Sequence, residues 1–279
     1  MNSKWVVHKF GGTSVADAER YRAAAEIVLA RAPGERAAVV VSAMSGVTNG
    51  LIESVELAAR HDISYSTILE NLKTRHLETI DRLTLSAEQT SALGEVILSD
   101  FHAIEEVLRG VWITRLASER IMEFVSGHGE LWSAQLLHTY LEALGHSSAW
   151  LDARKVLVVE PNGNTIAIDW RLSQEKLDAW ARDVTSDFLV ITGYVAATHD
   201  GVATTLKRNG SDLSASIFGA LLGADSVTIW TDVDGVFSAD PRRVSEALII
   251  PELSYQEAAE LAYFGAKVIH PNTMSPAIA

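Results

Sequence analysis

Two periods alternate along this 279-residue chain. Short runs that are apolar at nearly every position stand between longer stretches in which apolar residues recur every three or four positions. The valine-rich Ala37–Val41 and Phe188–Thr192 are runs of the first kind, and Trp5–Phe10 and Asp225–Trp230 are similar short runs interrupted by polar residues. Because they are apolar on both faces, they predict strands of a parallel sheet covered on both sides by helices. A helix from about Ala16 to Ala30 follows the first run and is stopped by Pro33-Gly34. Residues 50–145 are almost wholly helical in pattern, with few Gly or Pro interruptions, and Leu213–Leu222 is a further helical run. Val156–Val159 and Thr165–Ile168, either side of Pro161-Asn162-Gly163-Asn164, predict a hairpin, and His199-Asp200-Gly201 a second turn. No internal repeat, charge block or flexible linker divides the chain, which reads as one α/β body with two lobes meeting near residue 200.

Composition narrows the function classes. Hydrophobic residues make up 48% and charged residues 21%, enough apolar matter for a sizeable core. The 36 acidic against 23 basic side chains leave a net charge of −13. That balance argues against nucleic acid or an anionic membrane as partner, since both require a basic footprint. With no cysteine, disulfides, thiolate zinc sites and cysteine nucleophiles are excluded. The N-terminal residues meet Gly11-Gly12 before a signal-peptide core can form, and no apolar run approaches the ~18 residues of a membrane span. A cytoplasmic compartment is the resulting expectation. Pro276 suits the first turn of a helix, yet only three residues follow it, so the end reads as an artificial boundary or the cut edge of a larger protein.

Several familiar sites are missing from the sequence. There is no G-x-x-x-x-G-K-[ST] phosphate loop, no G-x-G-x-x-G after a strand, and no G-x-S-x-G elbow. The nine histidines include no H-E-x-x-H or close pair at metal-ligand spacing, so no protein-held metal is expected. What remains is a set of Gly-, Ser- and Thr-rich loops at strand ends. Lys9-Phe10-Gly11-Gly12-Thr13-Ser14 puts a cation at the end of a strand, then two glycines that let the backbone approach an anion. A plain strand-to-helix turn with a solvated lysine is the other reading. Lys207-Arg208-Asn209-Gly210-Ser211-Asp212 repeats the design; Ser211 or Asp212 could equally cap the helix that follows. Gly127-His128-Gly129-Glu130 opens a helix too, with Glu130 placed either for the dipole or for a ligand. Thr231-Asp232-Val233-Asp234-Gly235 lacks the spacing of a calcium loop, which leaves a tight Asp-Gly turn as the alternative to a ligand loop.

Taken together these motifs resemble the aspartate kinases. K-F-G-G-T-S-V at Lys9–Val15, S-G-V-T-N at Ser45–Asn49 and S-G-H-G-E at Ser126–Glu130 carry the likeness. R-N-G-S-D at Arg208–Asp212, T-D-V-D-G-V at Thr231–Val236, A-D-P-R at Ala239–Arg242 and Y-F-G-A-K-V-I-H-P at Tyr263–Pro271 extend it in the same order. The resemblance implies the amino-acid-kinase fold, a three-layer α/β sandwich with a mainly parallel central sheet. Its amino-acid lobe would span about residues 1–200 and its nucleotide lobe about 201–279. It implies transfer of the ATP γ-phosphoryl to the side-chain carboxylate of L-aspartate, with Mg2+ held mainly by the phosphates. A homodimer is compatible with it, and the regulatory domains that family members carry have no counterpart after Pro271.

By the same resemblance Lys9 reaches the transferring phosphoryl and Asp212 orients it. Gly11, Gly12 and Ser14 surround the phosphates. Thr48, Ser211 and Tyr194 line the aspartate site, Arg208 clamps the α-carboxylate and Glu130 takes the α-ammonium. Thr231, Asp232, Phe237, Arg242 and Lys267 belong to the nucleotide side. Two positions depart from the family: Lys207 stands where glycine is usual, and Phe237 where tyrosine is common. If that glycine adopts a positive φ, lysine there introduces strain. A kinase of another small carboxylate, such as glutamate, and a catalytically silent amino-acid or nucleotide sensor are the competing readings.

Overall fold

The computed structural model describes residues 4–31, 34–162, 165–207, 209–240, 243–263, 273, 274 and 276. The first half of the chain runs β1 (Lys4–Phe10), α1 (Ala18–Leu29), β2 (Glu35–Val41), α2 (Val47–Ala59), α3 (Ser64–Arg82), α4 (Ala87–Thr114), α5 (Glu119–Ser126) and α6 (His128–Ala143). The second half runs β3 (Ser148–Leu151), β4 (Val159–Asn162), β5 (Thr165–Ile168), α7 (Trp170–Ala181), β6 (Phe188–Thr192), β7 (Val195–Ala197), β8 (Ala203–Thr205), α8 (Gly210–Leu222), β9 (Ser226–Trp230) and α9 (Tyr255–Tyr263).

Five strands form one parallel sheet in the order β3-β6-β2-β1-β9. The sheet is buried on both sides because its strands are apolar at successive positions, which a one-sided sheet would not tolerate. Phe10, Ala37, Val39, Val41, Phe188 and Val190 face a core closed by α1, α2, α3, α4 and α6. The intervening Val7, Ala38, Val40, Leu189 and Ile191 face the opposite core, closed chiefly by α7 and α8. The result is the three-layer sandwich expected from the sequence. No described helix is long and apolar enough to cross a membrane.

Local signals set the helix starts. Asp17 accepts a hydrogen bond from the Arg20 N–H at 3.0 Å and opens α1. Ser86 and Gln89 form a reciprocal capping box at the head of α4, and Ser118 caps α5. α1 therefore begins later than the pattern predicts. Gly12–Val15 is a separate 3-10 turn, because the Asp17 side chain starts a new helix just beyond it.

The predicted hairpin exists but is shifted. Its first strand is Val159–Asn162, not Val156–Val159, pairing antiparallel with Thr165–Ile168. The Val158 backbone is committed elsewhere: its N–H donates to Ser173 Oγ, its carbonyl accepts from the Asp169 N–H, and it bridges to Ala197. Gly163 and Asn164 of the predicted turn lie outside the described residues. The turn at His199–Gly201 joins β7 to β8. β3 and α7 have no counterpart in the sequence reading, since β3 is a four-residue edge strand beginning with polar Ser148.

The helical core is stapled by stacked aromatics. Phe101 and Trp132 lie with ring centroids 4.4 Å apart, and His76 packs edge-on to Trp132 at 4.8 Å. Burial pushes the His76 imidazole down to about 4, so it sits in the core as a neutral group whose Nδ1 hydrogen-bonds the Leu72 carbonyl. Phe101→Ala is expected to cost about 3–5 kcal/mol, the range for a buried aromatic cut back to a methyl group. Urea denaturation checks this; a loss under about 1 kcal/mol would mean the cluster collapses into the gap.

Candidate active site

β1, β2, β6 and β9 all end on the same edge of the sheet, and a cleft of about 710 Å³ opens there. Carboxyl ends of parallel strands are where open α/β sheets hold ligands, because the loops diverge from them. Lys9, near the end of β1, is 8% exposed. Its Nζ lies 2.5 Å from Oδ1 of Asp212, in the first turn of α8. The N-cap position of α8 is Asn209, with no side-chain cap. Asp212 is thus turned to the lysine and does not cap the helix.

Glu130 projects from the first turn of α6 into the same cleft and is only 3% exposed. It reaches this depth because residue 129 is glycine: a Cβ there would fall 2.7 Å from the Ala43 Cβ. Burial pushes the Glu130 carboxyl up to about 8, against the opposing pull of the Ala43 N–H, its own N–H and the Lys9 charge. Its Oε2 is buried and has no hydrogen-bond partner among the described residues. A buried carboxylate oxygen left without a donor is a vacancy for a cationic donor such as an ammonium.

The cleft loops approach each other closely. The Ser45 N–H donates to the Gly12 carbonyl at 3.0 Å, and a Cβ on Gly12 would come within 2.8 Å of the Ala43 carbonyl oxygen. Arg75, from α3, bolts both loops in place by donating to the carbonyls of Ser45 at 2.6 Å and Ala16 at 2.7 Å. Thr48, Ser211 and Tyr194 line the cleft. Tyr194 has φ 66°, and its N–H donates to Ser214 Oγ of α8 at 2.9 Å.

Lys9, Gly12, Thr48, Glu130, Tyr194, Ser211 and Asp212 are therefore brought together. Gly11 stands beside them, where a Cβ would lie 3.5 Å from Lys9 Nζ and 4.0 Å from the Trp230 carbonyl. Ser14, Thr231, Asp232 and Phe237 do not line this cleft. Thr231 and Asp232 follow β9, the neighbour of β1, with the Thr231 hydroxyl donating to Asp232 at 3.2 Å. Phe237 bridges to Ile249. Arg208, Arg242 and Lys267 lie outside the described residues.

Two features escaped the sequence reading. Arg75 carries no motif and is far in sequence from the loops it holds. Lys207 stood out only as a departure, and the structure gives it φ 61° and an ion pair with Glu119 at 2.5 Å and with Glu123. Burial alone would lower its ammonium, but the bonds to Glu119 and Glu123 outweigh this and hold it above the ordinary value.

The sequence profile described as the amino acid kinase family matches residues 4–279. The chain belongs to that family. Among its relatives, the chloroplastic bifunctional aspartokinase/homoserine dehydrogenase 1 of Zea mays is 46% identical over 273 residues, covering 98% of this chain and 30% of the relative. The bifunctional aspartokinase/homoserine dehydrogenase 2 of Escherichia coli K12 is 37% identical, covering 97% of this chain and 32% of its own length. In three dimensions the chain is similar to E. coli aspartokinase III crystallised with aspartate and ADP in its R-state. The TM-score is 0.87 at 33% identity, covering 99% of this chain and 60% of that one. The chain thus spans about a third of the length of these bifunctional relatives, and its sheet and helices are those of the amino acid kinase fold.

The Glu130 carboxyl makes a measurable prediction. Its folded value of about 8 stands above the ordinary 4.5, so the folded protein keeps a proton that the unfolded chain has lost. Stability from that neutral carboxyl is complete below about pH 4.5 and disappears as pH rises through about 8. Without ligands, the melting temperature of the wild type is expected to fall relative to Glu130→Gln across that window. A difference that stays constant with pH would mean Glu130 titrates as an ordinary exposed glutamate.

Proposed function

We propose that the chain catalyses ATP-dependent phosphorylation of the side-chain carboxylate of L-aspartate, giving 4-phospho-L-aspartate and ADP. The observation that carries this reading is the pairing, in one cleft, of the Lys9–Asp212 ion pair with the buried, donor-free oxygen of Glu130. The first suits a transferring phosphoryl group and the second an α-ammonium. Likeness over nearly the whole chain to aspartokinases, one of them crystallised with aspartate and ADP, supports the same acceptor.

The chemistry asks for no general base. A carboxylate with a pKa of about 3.9 is already ionised at neutral pH. Its oxygen forms the new bond to the γ-phosphorus as the bond to the bridging oxygen breaks, and ADP departs with that electron pair. What the protein supplies is placement of two anions and compensation of charge. In this reading Lys9, fixed by Asp212, meets the transferring group, and the Gly11-Gly12 backbone lies against the phosphates, with Ser14 on the same side. Mg2+ held mainly by the phosphates would neutralise part of their charge. Thr48, Ser211 and Tyr194 surround the acceptor, Glu130 takes its ammonium, and Arg208 takes its α-carboxylate by a planar fork. Thr231, Asp232, Phe237, Arg242 and Lys267 serve the nucleotide, in the lobe of about residues 201–279.

Glu130 also bears on the choice of acceptor. An N-acetylated amino acid has no ammonium to offer its vacant oxygen, so a zwitterionic acceptor is favoured. Coupled ADP release over aspartate, glutamate and N-acetylglutamate tests this: turnover with aspartate alone is expected, and turnover with none would remove the proposal.

Lys9→Ala and Asp212→Ala are each expected to lower kcat by about 10²–10³, the usual loss for one well-placed electrostatic group. Steady-state kinetics on both variants, with circular dichroism to confirm folding, provides the check. Near-normal kcat in a folded variant would rule out the role assigned to that residue.

A further inference from the structure

Lys207 occupies a position that costs the backbone strain, and its ammonium is held by two carboxylates. Its φ of 61° is in the left-handed region, as is the 58° of Asn209 two residues on. Non-glycine residues hold such conformations only where the surroundings over-determine them. Here the surroundings are carboxylates of α5. The Lys207 ammonium bonds Glu119 at 2.5 Å and also bonds Glu123. The two partners differ: the Glu119 side chain is 74% exposed, whereas that of Glu123 is 11% exposed. Glu123 also accepts from the hydroxyls of Thr204 at 3.0 Å and Thr205 at 3.5 Å, both on β8. It is therefore a nearly buried carboxylate whose only described cationic neighbour is Lys207.

The elements joined in this way are the two that carry the acceptor site. Lys207 stands two residues before Asn209, the N-cap of α8, whose first turn carries Ser211 and Asp212. α5 ends at Ser126 and, through Gly127, becomes α6, whose first turn bears Glu130. The junction is tight, since a Cβ on Gly127 would fall 2.8 Å from Val195 Cγ1 of β7. Lys207 itself lines the cleft.

From this geometry we infer that Lys207 is a positioning residue for the acceptor. Its ammonium straps the entrance of α8 to the α5–α6 junction and so sets the spacing between Asp212 and Glu130. It also neutralises Glu123, which would otherwise turn an uncompensated negative charge toward a site that takes dicarboxylates. The part that concerns the acceptor rests on the proposed aspartate kinase activity; the strap itself does not.

The test uses Lys207→Met, Lys207→Gly, Glu123→Gln and the double variant Lys207→Met/Glu123→Gln in the intact chain. Glutamine at 123 keeps an oxygen for the two threonine hydroxyls, so this variant retains the fold even if the lysine variants do not. Aspartate KM is expected to rise about tenfold in each single variant, with ATP KM within about twofold of wild type. The double variant should be no worse than Lys207→Met alone, because both changes cut one link. Lys207→Gly relieves the backbone strain, so its KM also separates the two contributions: a rise matching that of Lys207→Met assigns the effect to the strap. Hydrogen exchange without substrates reads the strap independently, and amides in residues 119–130 and 204–214 are expected to exchange faster in every variant. A lowered melting temperature with unchanged aspartate KM would reduce Lys207 to a stabilising contact and overturn the inference, as would an equal rise in ATP KM. Wild-type exchange rates in both segments would also overturn it. If the wild type fails to phosphorylate aspartate, the function proposal fails, while the exchange data still decide on the strap.

Discussion

A lysine inside a strand flanked on both sides by other strands must meet a counter-charge or be pushed out of the sheet. Lys9 meets Asp212, and much of the cleft follows from that contact. To bring a carboxylate to the end of β1, α8 has to begin close to the sheet edge, so the chain leaves β8 through a short, contorted loop. The left-handed residues Lys207 and Asn209 are the form that loop takes. Tyr194 fits the same constraint: its N–H donates to Ser214 of α8, and its ring packs against Gly210, where a Cβ would come within 2.7 Å of it. The ion pair is thus a structural requirement of the sheet edge as well as the centre of the proposed chemistry.

Glu130 follows a different logic. Lys9 and Asp212 form an ion pair in the cleft, whereas Glu130 is buried with no cation of the described residues bonded to it. It remains protonated up to about pH 8 until a cation comes to it. The cleft thus holds one ion pair and one carboxyl that burial favours in its neutral form. In the proposed reaction that asymmetry suits Lys9 and Asp212 to the phosphoryl group and Glu130 to the ammonium.

Much of the sheet was legible because burial on both faces leaves nearly continuous apolar runs in β2 and β6; β1 and β9, which carry more polar residues, were read from the loops and helices around them as well. β3 was missed because it is only four residues long, Ser148–Leu151, too short for its three apolar residues to stand out as a run. The slipped hairpin shows a limit of a different kind. Val156–Val159 is as apolar as any strand, but Val158 spends its backbone on Ser173, Asp169 and Ala197, none of which is nearby in sequence. The site divides similarly. Lys9, Glu130 and Asp212 were visible because they sit in glycine-rich loops at the ends of strands or the heads of helices. Arg75 was not, because an arginine on a long helix looks the same in sequence whether it reaches two distant carbonyls or solvent.

The order of strands in the sheet bears on how the molecule comes into being. β1 is made first, and β2 can pair with it early, but its other edge waits for β9, where Phe10 finally meets Trp230. β6 likewise closes onto β2 only after the long helical stretch α2–α6 has been synthesised. Such non-local pairings delay folding, since the entropy of closing the intervening chain is spent before the contacts return anything. A nascent chain therefore exposes one unpaired edge of β1 until β9 has left the ribosome. The last strand to dock covers the flank of β1 beside Lys9, so the sheet edge that opens onto the cleft is the last part of this sheet to be completed and stays open to non-native pairing until then.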